Sequence, residues 1–498
     1  MDFLNALQNS LQFSTLLILV FGTILGIICG AIPGINVTMA VALVLPATFM
    51  FPADVGFAML LTVYVGAMYG SAIPSVLVNI PGTPSSMMTA IDGYPLAKQG
   101  KAGMTLGVAA FGSFFGGIFA GFVLIFLAPV LGRVALRFGP AEFFAIGVFA
   151  LSLIASMSSS ENIFKGLIAG LLGVLVGSVG IDPLTGATRY TFGSVFMAGG
   201  LQLVPLLVGF FGFREVLNQI CESRGKLELI EQVTKIIPPL KIFKRISFTL
   251  IRSAVIGTYV GILPGAGAPI ASFLAYDTEQ KIIGKKSDTF GKGEICGVAA
   301  PETANNAANG GALIPTLTLG VPGDGATAVM LGAFMMHNIT PGPTLFTRHP
   351  DLVNSIYANY MIACVLMLIL GLAGIRLFMQ TVKVPQTILI PIVSVICVVG
   401  AYSIRNNMFD VGVMLAAGIV AFILQHRNFP IMALVLGTIL SGMIELQLRA
   451  ALQIDSTGRI FFQNPISFGL LCAAVLFFIR PFWKQYIKGI FMRSSAKK

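Results

Sequence analysis

Apolar stretches long enough to cross a bilayer recur from Leu16 to Ile479, and no soluble-looking block between them exceeds about forty residues. Lipid offers no partner to a bare amide or carbonyl, and each unpaired group costs several kcal/mol, so runs of about twenty apolar residues cross as helices. This one feature predicts an all-α, polytopic integral membrane protein with about 10–12 transmembrane segments, several of them broken or re-entrant. Composition points the same way: 56% of the residues are hydrophobic and 10% charged, against roughly 25% charged in a soluble domain. A water-facing surface cannot be built from so few charges.

The net charge of +11 is scattered through connecting loops, with no patch of basic and aromatic residues to hold a nucleic acid. It reads instead as topology. Lys and Arg are absent before Lys98, whereas Phe213 to Arg252 carries Arg214, Arg224, Lys226, Lys235, Lys241, Lys244, Arg245 and Arg252. Basic loops stay in the cytoplasm. That segment and the tail bearing Lys484, Lys488, Arg493, Lys497 and Lys498 are therefore expected inside, and the uncharged N-terminus outside. Met1 to Ser10 lacks the basic region of a cleaved signal peptide, so the first helix is expected to remain. The six Cys form no CxxC pair, and the three His (His337, His349, His426) have no ligand-like spacing.

The chain repeats itself. Gly26-x3-Gly30-x2-Pro33-Gly34 reappears as Gly257-x3-Gly261-x2-Pro264-Gly265, a shift of 231 residues. Gly70-x3-Pro74-x6-Pro81-Gly82 reappears as Gly311-x3-Pro315-x6-Pro322-Gly323, a shift of 241. The predicted organisation is a first membrane repeat (1–212), a basic loop (213–252) and a second repeat with its tail (253–498). If the halves start on opposite sides they are inverted repeats, a common transporter architecture.

A GxxxG string by itself says only that helices pack closely. Pro-Gly inside an apolar segment says more, because Pro removes a backbone donor and Gly permits chain reversal. The helix breaks at membrane depth, which is tolerated only where the break is buried or lines a cavity. Four such breaks in duplicated positions point to a binding site between the repeats. Around the first-half breaks stand Asn36, Thr38, Asn79, Gly82, Thr83, Ser85 and Ser86, neutral donors and acceptors beside free helix ends; they either cap those ends or bind solute. Around the second-half breaks Gly265, Gly267 and Gly323 leave the backbone bare. Glu302, Asn305 or Asn306, and Asn309 are spaced to share one helical face, as a solvated face or as part of the site. Glu302, Asp324 and Thr318 are the candidates for a coupling cation, Na+ or H+. No catalytic residue, cofactor or resident metal is expected, and no Walker A string is present. Tyr276-Asp277 and Gly323-Asp324 superficially resemble an intramembrane aspartyl protease pair, but Val321 stands where that motif needs a glycine; a channel is the other alternative.

The strings GAIPGINVTMAVALVLP, YGSAIPSVLVNIPGTPSSMMTAIDGYPLAKQGKAG, GILPGAGAPIASFLAYD and PETANNAANGGALIPTLTLGVPGDGATAVMLGAF resemble the large membrane subunit, the TctA type, of the tripartite tricarboxylate transporter family. The likeness runs over essentially the whole chain. It implies a bacterial inner-membrane permease driven by an ion gradient, working with a small membrane subunit and a periplasmic solute-binding protein. Di- or tricarboxylates such as citrate are the cargo it implies.

Overall fold

The computed structural model describes residues 3–158, 163–182, 184–221, 236–283 and 289–477. The tail lysines and Arg224, Lys226 and Lys235 lie outside them. The chain is an all-α polytopic membrane protein. Eight of its described helices are long and apolar enough to span a bilayer, and five shorter apolar helices accompany them. Two more are long but more polar, Leu240–Ile262 and Cys296–Leu319. The second of these is buried from Cys296 to Thr318 and presents little surface to lipid, so its polar side chains face protein. The segment expected as a loop over 213–252 includes the helix Arg214–Cys221 and the first turns of Leu240–Ile262.

The Pro-Gly strings break helices where the sequence places them. Phe13–Ala31 stops at Ile32, and a new helix starts at Val37; Gly34, at φ +94, makes the reversal. Leu240–Ile262 and Gly267–Ile283 repeat this arrangement, with Gly265 at φ +75. Ala72–Val78 ends at Asn79 in the left-handed region, and Cys296–Leu319 ends at Gly320 in the same conformation. After each, a backbone amide turns back to the same proline carbonyl of its own helix: Ile80 to Pro74 and Val321 to Pro315.

Small residues hold these helices together. A β-carbon on Gly26 or Gly30 would run into Val63 or Ala67, on the helix Ala53–Gly70. At the matching positions, Gly257 and Gly261 lie against Ala304 and Ala308. Gly70 packs on Ile27 as Gly311 packs on Thr258, and Gly82 meets Ser71 as Gly323 meets Ala312. These partners obey the two shifts read in the sequence, so the two halves share a packing register as well as motifs.

By backbone proximity the chain forms two compact units, Met1–Arg133 with Val204–Phe422, and Val134–Leu203 with Ile423–Lys498. All four breaks lie in the first. In the second, Gly173 and Gly177 of Ile163–Gly177 press on Leu434, Thr438 and Ser441 of Ile431–Ile454. A short hairpin pairs Gly180–Ile181 with Thr188–Arg189, and Asp182 sits at its turn. Asp182 accepts from the Thr185 hydroxyl (2.6 Å), the Leu184 amide (3.0 Å) and Arg449 (2.9 Å), and pairs with Arg189 at 2.5 Å. Those bonds, Thr185 first, hold its carboxyl well below the usual carboxylate range. Arg405 pairs with Asp410.

Gly257→Val, which forces a branched side chain against the Ala304 backbone, should destabilise the protein by about 1–3 kcal/mol. Gly412→Ala, with open space around it, should be nearly neutral; thermal unfolding in detergent reads both. Because the Asp182 carboxyl is depressed on folding, its stabilisation is complete above the unfolded value of about 3.9 and is lost as pH falls below it. Asp182→Asn should therefore lower the unfolding temperature at neutral pH, with the gap to wild type closing in strong acid.

Candidate functional site

The second-half breaks join each other. Gly265 donates its amide to the Gly323 carbonyl at 2.8 Å, so the two broken segments complete each other's backbone. Asp324 caps the helix Gly325–Met336: its Oδ1 accepts from the Thr327 amide (2.8 Å) and hydroxyl (2.9 Å), while the Asp324 amide donates to the Thr327 hydroxyl at 3.0 Å. Its other oxygen accepts from the Tyr64 hydroxyl at 2.6 Å. Tyr64 belongs to Ala53–Gly70, so this bond brings the halves together at the break. Gly267, at φ +61, is so close that an added β-carbon would stand 3.7 Å from that of Asp324.

The first-half breaks lie beside each other in the same manner, with Gly82 against the Gly30 carbonyl. Thr83 caps the helical turn Pro84–Ser86, which runs on into Met87–Leu96; its amide donates to Ser86 at 3.2 Å, as Asp324 donates to Thr327. The Thr83 hydroxyl also meets Ser71 (3.1 Å) and Ser85 (2.8 Å), and Ser85 reaches the Met68 sulfur. Asn36 caps Val37–Thr48 through Met39, at 2.9 Å, and Thr38 is half-buried in its first turn. Thr83, Ser86 and Asn36 are thus caps in fact, whatever else they contact. Asn79 is exposed, and the Thr318 hydroxyl is bonded to the Ile314 carbonyl of its own helix.

Glu302, Asn305, Asn306 and Asn309 are all buried, so the solvated-face alternative is excluded. Glu302 accepts from Thr89 at 2.6 Å and from Ser113 at 3.2 Å. The Asn306 amide donates to Ser113 at 2.8 Å and leaves its oxygen unpartnered. Asn305 and Asn309, one turn apart, have neither donor nor acceptor matched. Buried polar atoms are normally paired, so these two carboxamides have bonding capacity for something that is not protein.

Two residues escaped the sequence reading. Gln219 donates to the Gly34 carbonyl at 2.8 Å and completes the first break from 185 residues away. Asp92, fully buried, accepts from the amides of Gly291 (2.8 Å), Gly293 (2.9 Å) and Glu294 (2.8 Å) and from the Tyr276 hydroxyl (2.8 Å). An acid three residues after Thr89, on the helix facing Glu302, was a usable signal for Asp92. Nothing local marks Gln219.

The arrangement offers helix N-termini, hydroxyls and carboxamides, with no Lys, Arg or His among the described residues ion-paired to Asp324 or Glu302. A polar, anionic solute suits such a lining, since each helix end supplies about half a positive charge. It does not suit proteolysis: Asp277 pairs with Lys281 and Asp324 with Tyr64, each carboxylate engaged separately. Residues 16–436 match the tripartite tricarboxylate transporter TctA family. The chain belongs to that family. A curated relative, described as an uncharacterized 52.8 kDa protein in the TAR-I ttuC' 3' region of Agrobacterium vitis, is 38% identical over 91% of this chain and 90% of its own length. An uncharacterized protein in the TAR-II ttuC' 3' region of the same organism is 39% identical over 43% of this chain and 89% of its own. No solved structure matches the chain. Membership makes this TctA-family chain the large subunit type of a tricarboxylate transporter, a multi-pass membrane protein from a family of carriers.

Asp92→Ala would leave three backbone amides and the Tyr276 hydroxyl without their acceptor, and should destabilise by about 3 kcal/mol or more. Asp324→Asn keeps a good capping residue and should cost only a few tenths of a kcal/mol. Paired denaturation curves check the contrast.

Proposed function

We propose that this chain is the large permease subunit of a binding-protein-dependent secondary transporter that imports di- or tricarboxylates such as citrate. The Tyr64–Asp324 hydrogen bond carries the reading, because it ties the first half to a broken segment of the second beside the Gly265–Gly323 contact. A site formed there belongs to both halves, as alternating access around a fixed site requires. Gly82, Thr83, Ser85, Gly267, Asn305 and Asn309 are its solute-facing candidates.

Charge balance sets the coupling. A carboxylate with two or three negative charges cannot enter a low-dielectric site uncompensated. Helix N-termini at Val37, Pro84, Gly267 and Gly325 offset part of that charge. Co-bound Na+ or H+ supplies the rest, with Asp324 and Glu302 as contacts, and transport is symport. A small membrane subunit and a periplasmic solute-binding protein complete the system in the bacterial inner membrane. The N-terminus is periplasmic, the 213–252 segment and the C-terminus are cytoplasmic, and the two halves are inverted repeats.

Reconstitution with both partners tests this. Citrate uptake should collapse when the Na+ and proton gradients are both abolished, and Asp324→Asn should cut it at least about tenfold, the effect of losing roughly 1.4 kcal/mol, while leaving the protein folded. Uptake at full rate without either gradient would remove the coupling. A cytoplasmic signal from a reporter fused before Gln12 would remove the inverted topology.

A further inference from the structure

Among the described residues, the buried carboxylates other than Glu302 all have a compensating partner. Asp182, Glu279, Glu294 and Asp410 pair with arginines. Asp92 is held by three amides. Glu142 lies in the first turn of its helix and accepts from the Gly139 amide. Glu302 stands in mid-helix, fully buried, with only the hydroxyls of Thr89 and Ser113 on its oxygens.

Among the described residues no Lys or Arg of the elements packed around it is ion-paired to it; Lys241 and Lys244 lie near the start of Leu240–Ile262, far along that helix from its Gly257–Ala304 contact. Met87–Leu96 offers Thr89 and the already bonded Asp92. Ala102–Ala135 carries no ionisable residue before Arg133. On Leu240–Ile262, Arg245 and Arg252 pair with Glu294 and Glu279. On Gly267–Ile283, Tyr276 bonds Asp92 and Asp277 pairs with Lys281. From Ala53–Gly70 come Tyr64, bonded to Asp324, and the unpartnered Tyr69 hydroxyl; Tyr360 of Pro350–Thr381 bonds the Asn306 carbonyl. The charge of an isolated buried carboxylate has to be met by a proton or a cation.

We infer that Glu302, with Thr89, Ser113 and Asn306, forms a proton-binding site. Each carboxylate oxygen already accepts from a hydroxyl at hydrogen-bond distance, a closed polar set that a single proton completes. The unpartnered Asn306 oxygen is an acceptor waiting for a donor. A proton added to Glu302 converts one of its oxygens from acceptor to donor, letting Ser113 accept from it and turn its own hydrogen elsewhere. The proton arrives from water and returns to it, with no other bond made or broken. Thr89 lies on the helix that starts at the Thr83–Ser86 break, so occupancy of the site is felt where solute is expected. The inference rests on the transport reading and deepens it, assigning proton exchange to Glu302.

Infrared difference spectra of the purified chain in lipid nanodiscs, recorded across pH steps, test it without any solute or partner. Wild type should show a titrating carboxylic-acid carbonyl stretch that Glu302→Gln abolishes, with the same midpoint in Na+ and K+ buffers. Ser113→Ala and Thr89→Val each remove a donor to the charged form, so each should move the midpoint to higher pH. No band lost in Glu302→Gln, or a midpoint displaced by Na+ at constant ionic strength, overturns the proposal. If the Gln variant does not fold, an unmoved midpoint in Ser113→Ala and Thr89→Val overturns it equally. Absence of uptake in reconstituted vesicles would instead defeat the transport reading and leave this band intact.

Discussion

A helix broken inside a bilayer exposes amides and carbonyls to a medium that cannot bond them, and the protein itself must supply every replacement. That requirement organises the first compact unit. Gly265 and Gly323 satisfy each other; Ile80 and Val321 turn back on Pro74 and Pro315; Gln219 comes from a distant helix to the Gly34 carbonyl. Breaks with such needs cannot face lipid. They are drawn against protein, and a polar site forms where they gather.

Close approach of the flanking helices makes this possible. Lipid tails are as apolar as leucine, so helices in a membrane associate through packing and not through exclusion from water. Gly26, Gly30, Gly257 and Gly261 let backbones meet at distances a β-carbon would forbid. The same glycines fix how far along its neighbour each helix stops, and hence where each break falls.

The frame is duplicated but its lining is not. At a shift of 241 residues, Asp324 replaces Thr83 at the matching N-cap position, Asn305 replaces Tyr64, Asn309 replaces Met68 and Glu302 replaces Leu61. Packing residues are constrained in both halves by the same contacts. Side chains that face the site are not, and the second half has gathered the carboxylates and carboxamides while the first keeps hydroxyls. At these matched positions charge chemistry is therefore one-sided on a repeated packing frame.

The sequence alone determined the solvent, the helical class, the positions of the breaks and the duplication, because each follows from local rules: hydropathy over a span, the missing donor of proline, the free φ of glycine. It also marked Glu302 and Asp324 as acids in the wrong medium. Only the tertiary structure decided their environments, since an environment is set by residues far away in the chain. It gave Asp324 to Tyr64 and a helix end, left Glu302 between two hydroxyls without a counter-ion, turned Asn79 outward, closed Thr318 on its own helix and drew in Asp92 and Gln219. No pattern within a window of sequence encodes a partner 200 or more residues distant, as each acid has in Thr89 or Tyr64; that is fixed by how the glycine-lined helices seat against one another.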